Sequence, residues 1–128
     1  MNANEDPADD TVAEVTRTVE DYYFGWYDAD PDRMQRALHP DLAKRSSVSL
    51  DGEPPRIRQV TSTQMIGWTR EGEGRTTDPA ERRLEVIVDE IHDTIATVRV
   101  HAVPYIEYLH LARTGEGWRI VNALWQRP

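Results

Sequence analysis

The sequence predicts an α+β domain, with helices filling most of its first half and antiparallel strands its second. Three observations carry this. Apolar residues between 11 and 28 recur at helical spacing behind a capping box. Residues 83–126 instead alternate with a period of two, interrupted by turn-forming residues. The whole is 128 residues without a cysteine, enough chain to bury one core without disulfide staples.

Residues 1–10 (MNANEDPADD) are acidic, contain proline and lack an apolar period, which predicts a disordered tail ahead of a single domain over 11–128. Thr11 with Glu14 forms a capping box, and Val12, Val15, Val19, Tyr22 or Tyr23, and Trp26 then mark a helix over about 11–28. Asp30-Pro31 restarts the chain, with Asp30 as N-cap and Pro31 at the first helical position, where a missing N–H costs nothing. The short second helix turns Met34, Ala37 and Leu38 inward. It ends at His39-Pro40, because the residue before a proline avoids the helical region. Short strands are expected at 43–49 and 56–60 around the turn Asp51-Gly52-Glu53-Pro54-Pro55. A second capping box, Thr61 with Gln64, opens a third helix through Met65, Ile66 and Trp68, which Glu71-Gly72-Glu73-Gly74 ends. Four strands remain, at 83–90, 94–103, 106–113 and 118–126.

Their register is read from the apolar pattern, since a slip of one residue turns every side chain over. A two-residue turn at Pro104-Tyr105 sets Val100 against Leu109 and Val98 against Leu111. A turn around Gly115-Glu116 sets Leu111 against Ile120, Leu109 against Asn122 and Glu107 against Leu124, and a three-residue loop at Ile91-His92-Asp93 sets Val86 against Val98. One face is then apolar except for Glu107 and Asn122. A carboxylate on such a face must be paired, protonated or near water, which makes Glu107 a functional candidate or a strand-end residue with an arginine partner. The other face carries Ile106, Tyr108, Val121 and Trp125. That is too large an apolar patch to leave bare, and it predicts a homodimer through the outer sheet face at Tyr108, Val121 and Trp125, the alternative being cover by the first two strands or by a terminus.

Composition excludes several functions. Ten of the 23 acids but one of the 15 bases lie in residues 1–32, so the acidity is N-terminal. The net charge of −8 argues against nucleic acid as a partner, whose phosphates need Lys and Arg. No apolar stretch is long enough to span a membrane, and no basic-then-apolar leader is read, so the expected compartment is the cytoplasm. Without cysteine there is no thiolate metal site or cysteine nucleophile, and His92, His101 and His110 lack metal-binding spacing; no metal and no cofactor are expected.

Tyr22-Tyr23-Phe24-Gly25-Trp26, Asp30-Pro31, Leu38-His39-Pro40, Ile95-Ala96-Thr97-Val98-Arg99-Val100, Glu107-Tyr108-Leu109-His110-Leu111 and Trp118-Arg119-Ile120-Val121-Asn122 together resemble the nuclear transport factor 2-like superfamily, in particular its lumazine-binding and SnoaL-like groups. The resemblance covers about residues 11–126. It implies a cone: a curved mixed sheet wrapped around about three helices with a pocket between them, commonly as a dimer. Members include ketosteroid isomerase, scytalone dehydratase and polyketide cyclases beside proteins without known activity, so the fold does not decide the function.

In such a cone the helices bring Tyr23, Trp26, Tyr27, Met34, His39, Met65 and Trp68 toward the interior. Aromatic walls with a few polar groups are the usual lining of a small-molecule site or, equally, ordinary core. Two readings stand side by side. In the first, a mostly apolar organic ligand is held by Trp26, Tyr27, Met65, Trp68 and Asn122 without chemistry. In the second, a cofactor-independent isomerase, dehydratase or cyclase uses Glu107 as base with His39 or Tyr23 as proton donor. No catalytic motif of the related isomerases carries over residue by residue.

Overall fold

The structure, a computed structural model, describes residues 7–127. The first six residues of the expected tail lie outside the described residues. The first helix, α1 (Pro7–Tyr27), begins ahead of Thr11, so the end of the expected tail is helical. Of its periodic residues Val15, Val19, Tyr22 and Tyr23 are buried and Trp26 partly so, whereas Val12 is exposed; Tyr27, one turn after Tyr23, is buried as well. After a turn, α2 (Pro31–Ala37) opens as expected: the Asp30 carboxylate accepts from the Arg33 N–H at 3.2 Å, with Pro31 in the first turn.

The chain passes from α2 straight into β1 (Leu38–Val48), earlier than the sequence suggested. The register between β1 and its parallel partner is irregular between Leu38 and Ala43, and this is where Pro40, which has no N–H for a ladder, is accommodated. An exposed hairpin leads to β2 (Arg56–Val60). The capping box at Thr61 is present in full: its hydroxyl accepts from the Gln64 N–H, and the Gln64 side chain accepts from the Thr61 N–H. It starts α3 (Ser62–Glu71), closed by Gly72 in the left-handed conformation that glycine adopts without steric cost. Two short 3-10 turns precede β3 (Leu84–His92), β4 (Ile95–Ala102), β5 (Ile106–Thr114) and β6 (Gly117–Gln126).

These form one six-stranded sheet in the order β2-β1-β6-β5-β4-β3, antiparallel except for the parallel β1–β6 pair. The helices cover one face, where Val98, Val100, Leu109, Leu111, Trp118 and Ile120 are almost wholly buried against α1 and α2.

Three register readings need correction. The β4–β5 turn is centred on Val103-Pro104, with Ala102 and Tyr105 bonding across it, so Val100 opposes Glu107 and Val98 opposes Leu109. A shift of two leaves every side chain on its expected face. The β3–β4 turn likewise holds two residues, Asp93-Thr94, and an irregularity between Val88 and Glu90 restores the apolar match of Val86 with Val100. The third correction changes the site. A bulge in the β5–β6 ladder beside Val121 inserts one extra residue into β6, so Leu111 still opposes Ile120 but His110 opposes Asn122 and Glu107 opposes Trp125. Beyond the bulge the alternation is inverted. Asn122 and Leu124 face out; Ala123 and Trp125 face in.

Candidate functional site

The concave side of the sheet does not close fully on the helices. Between them lies a cavity of about 180 Å³. Its walls are Tyr22, Tyr23 and Trp26 from α1, Met65 and Trp68 from α3, Val60 at the end of β2, Tyr105 before β5 and Trp125 on β6. Tyr22 and Tyr23 meet edge to face at 5.1 Å, and Tyr105 and Trp125 at 5.2 Å.

The floor is polar. Glu107, 2% exposed, directs its carboxylate at α1, where its Oε1 accepts from the Tyr23 hydroxyl at 2.6 Å and its Oε2 from the Tyr22 hydroxyl at 2.9 Å. The Lys44 ammonium, from β1, donates to the same Oε2 at 3.1 Å and to the Tyr22 oxygen. Its Nζ stands 4.9 Å from the centre of the Tyr22 ring and 5.4 Å from that of Trp125, in the range of a cation–π contact. Burial, reinforced by the adjacent Glu107 charge, pushes both tyrosine hydroxyls well above the usual phenol range. They are therefore neutral donors, which is what a buried carboxylate requires. With Lys44 opposite Glu107 the floor carries no net charge. The question posed by a carboxylate on an apolar face is answered by a lysine and two tyrosines rather than by an arginine or by water.

Of the residues the sequence offered as catalytic or ligand-binding, Tyr23, Trp26, Met65, Trp68 and Glu107 line this cavity and Tyr27, His39 and Asn122 do not; Met34, expected toward the interior, is fully buried away from it. The Tyr27 hydroxyl donates to the Val103 carbonyl at 2.7 Å, and its ring lies under the Arg82 guanidinium, so it packs beside the cavity. His39 stands at the start of β1, not at a helix end, and its Nδ1 accepts from the Asp41 N–H at 3.0 Å in a local turn. Asn122 is on the outer face, its amide 3.1 Å from His110 Nδ1, because of the β6 bulge. The same bulge moves Trp125 from the expected outer patch to the cavity wall.

Lys44, Tyr105 and Trp125 are cavity residues that the sequence alone did not assign to the site. Lys44 had a signal: Leu42, Lys44 and Ser46 alternate, and all three are buried. Among the described residues no group of three or more His, Asp or Glu is placed to hold a metal ion, and no helix is long and apolar enough to cross a membrane.

A mixed sheet wrapped over three helices, with an aromatic cavity between them, defines a nuclear transport factor 2-like α+β domain. Residues 10–126 match the model of the family described as "Putative lumazine-binding", and the chain belongs to that family. Its fold is shared with a nuclear transport factor 2-like protein of unknown function from Silicibacter pomeroyi DSS-3 (TM-score 0.73, 16% identity, 96% of this chain and 100% of that one). Another of unknown function, from Methylobacillus flagellatus KT, gives a TM-score of 0.71 at 16% identity over 100% of this chain and 98% of that one. A cystatin-like fold protein from Burkholderia xenovorans LB400 gives 0.62 at 20% identity over 91% and 90%. At these identities the likeness is one of fold. No curated protein matches the sequence.

Proposed function

We propose that this domain binds a small, ring-containing, mostly apolar organic molecule in the cavity between α1, α3 and the sheet. The observation that carries the reading is the combination of an aromatic wall with a polar floor already neutral and hydrogen-bonded. Such a site rewards apolar area and shape, and asks the ligand for no counter-charge. Size agrees: an apolar cavity of roughly 150 Å³ is known to take up benzene, so about 180 Å³ suits a substituted single ring or a compact fused pair. The test is titration with small aromatic compounds, read by fluorescence of Trp26, Trp68 and Trp125. Met65→Trp, which fills the cavity, is expected to abolish a response seen in the parent; a response that survives it places the ligand elsewhere.

A second reading, acid–base catalysis of isomerisation, dehydration or cyclisation, is favoured by one observation. Glu107 and Tyr23 are hydrogen-bonded at 2.6 Å and both line the cavity, giving a base and a donor on one ligand-facing surface. His39 has no part in it. Binding without loss of a ligand's exchangeable C–H deuterium would remove this reading and leave the first intact.

We further propose a homodimer through the outer sheet face, with Leu124 taking the place expected for Trp125. Tyr108 and Leu124 are cross-strand neighbours, 53% and 46% exposed, with Val121 half-buried on the same strand as Leu124. Tyr108→Glu is expected to halve the sedimenting mass, and an unchanged mass would refute that interface.

A further inference from the structure

The open rim of the concave face carries positive charge, in a chain whose net charge is −8. On β2, Arg58 is two residues before Val60, a cavity wall residue, and so stands on the same face. Across the sheet Arg58 pairs with Ser46, and Ser46 with Trp125, so a single row runs from the arginine to the cavity. Arg127 comes two residues after Trp125, at the end of β6. It lies close enough to Tyr105 that its charge opposes the rise in that hydroxyl's pKa caused by burial. The third base at this rim, Arg56, is taken by Glu53 at 2.6 Å. Among the described residues Arg58 and Arg127 make no ion pair and no side-chain hydrogen bond, whereas Arg33, Arg36, Arg82 and Arg99 are all held by aspartates.

We propose that the ligand is a small aromatic carboxylate, its ring in the cavity and its anionic group at the rim between Arg58 and Arg127. This rests on the binding function proposed above and adds the chemical class. The neutral floor gives a charged group no reason to go deep, because Lys44 already answers Glu107. A carboxylate left at the rim keeps part of its hydration and meets two unpaired guanidinium groups, whose planar donor forks match its two oxygens. Focusing by the low-dielectric cone mouth also favours an anion against the overall negative charge of the chain.

Matched pairs test this: benzoate against benzamide and 1-naphthoate against 1-naphthamide, titrated by calorimetry into the intact protein and into Arg58→Gln/Arg127→Gln. Both positions are at the exposed end of the sheet, and thermal melting checks that the variant folds. The carboxylates are expected to bind the parent roughly two- to thirtyfold more tightly than their amides, the range for two exposed ion pairs. That preference should vanish in the double variant and shrink between low and high salt. Amides that bind the parent as well as the acids, or a preference that survives loss of both arginines, overturn the proposal while the cavity reading stands. If neither member of either pair binds, both fail together.

Discussion

The ion pair at the cavity floor gives the sharpest test of the structural reasoning. Replacing Glu107 by Gln removes the charge that faces Lys44 and one of the acceptors on which the tyrosine hydroxyls converge. At the observed 3.1 Å and an effective dielectric near 20, the lost attraction is about 5 kcal/mol. Lys44 is 7% exposed, so its ammonium cannot recover bulk hydration without moving. Removing one partner of a buried pair costs roughly 3–5 kcal/mol for this reason. In a chain of 128 residues that corresponds to a fall in Tm of roughly 10–20 °C. The informative companion is Lys44→Met with Glu107→Gln, which removes both charges and keeps an unbranched apolar side chain in the lysine's place. The double variant should be more stable than Glu107→Gln alone, with a coupling of roughly 2–3 kcal/mol in a double-mutant cycle. Urea unfolding at pH 7, followed by circular dichroism, measures all four species. Additive effects, or a Glu107→Gln protein within about 0.5 kcal/mol of the parent, would refute the account of a desolvated, mutually dependent pair.

Three further outcomes are expected from the geometry. A Cβ at Gly74 would lie 2.2 Å from the Trp26 carbonyl oxygen and 2.6 Å from its ring, so Gly74→Ala should displace this wall of the cavity, cost roughly 1–3 kcal/mol, and shift the tryptophan emission; unchanged emission and Tm would refute it. Thr61→Ala removes the N-cap of α3 and should lower stability by about 0.5–2 kcal/mol, seen as a lower urea midpoint with an unchanged slope. For Asp21, burial pushes the carboxyl pKa upward, but hydrogen bonds and charge from Arg36 and Arg33 outweigh it and the net shift is down. A lowered folded-state pKa stabilises above the unfolded value, about 3.9. That contribution is lost as pH falls through the folded value. Asp21→Asn should therefore lower Tm at pH 7 and flatten its decline below about pH 4, and an acid limb parallel to the parent's would disprove the assignment.

How much of this was legible in the sequence depends on how local the determining forces are. The N-cap at Asp30 and the capping box at Thr61 were readable because each rests on contacts within a few residues, and the strand at 56–60 because a hairpin turn joins it to the neighbouring β1. The inward placement of Glu107 was readable too, since it comes from alternation and survives a register error of two. Beyond Val121 local reasoning ended. A bulge in β6 has no signature in the alternation of one strand; it is set by how β5 and β6 pair, and it exchanges Asn122 for Trp125 in the cavity wall. Lys44 was hidden for a related reason. Its partner lies 63 residues away, and β1 reaches Glu107 only across β6, which pairs with β1 in parallel and β5 in antiparallel fashion. His39 shows the limit of helix-end logic. The residue before a proline does stop a helix, but the chain continues here as a strand, and the imidazole is spent on a turn of its own.

The place of β6 in the sheet has a consequence for assembly. It stands third from one edge, between β1 and β5, yet it is the most C-terminal element of the domain. As the polypeptide leaves the ribosome, β3, β4 and β5 can zip together as a meander, while β1 and β2 wait for a neighbour that is still being translated. The amino-terminal hairpin, the Lys44–Glu107 bond and the Trp125 wall are thus completed in one late event, so nascent chains halted before residue 117 should expose the unpaired edges of both β1 and β5 to chaperones.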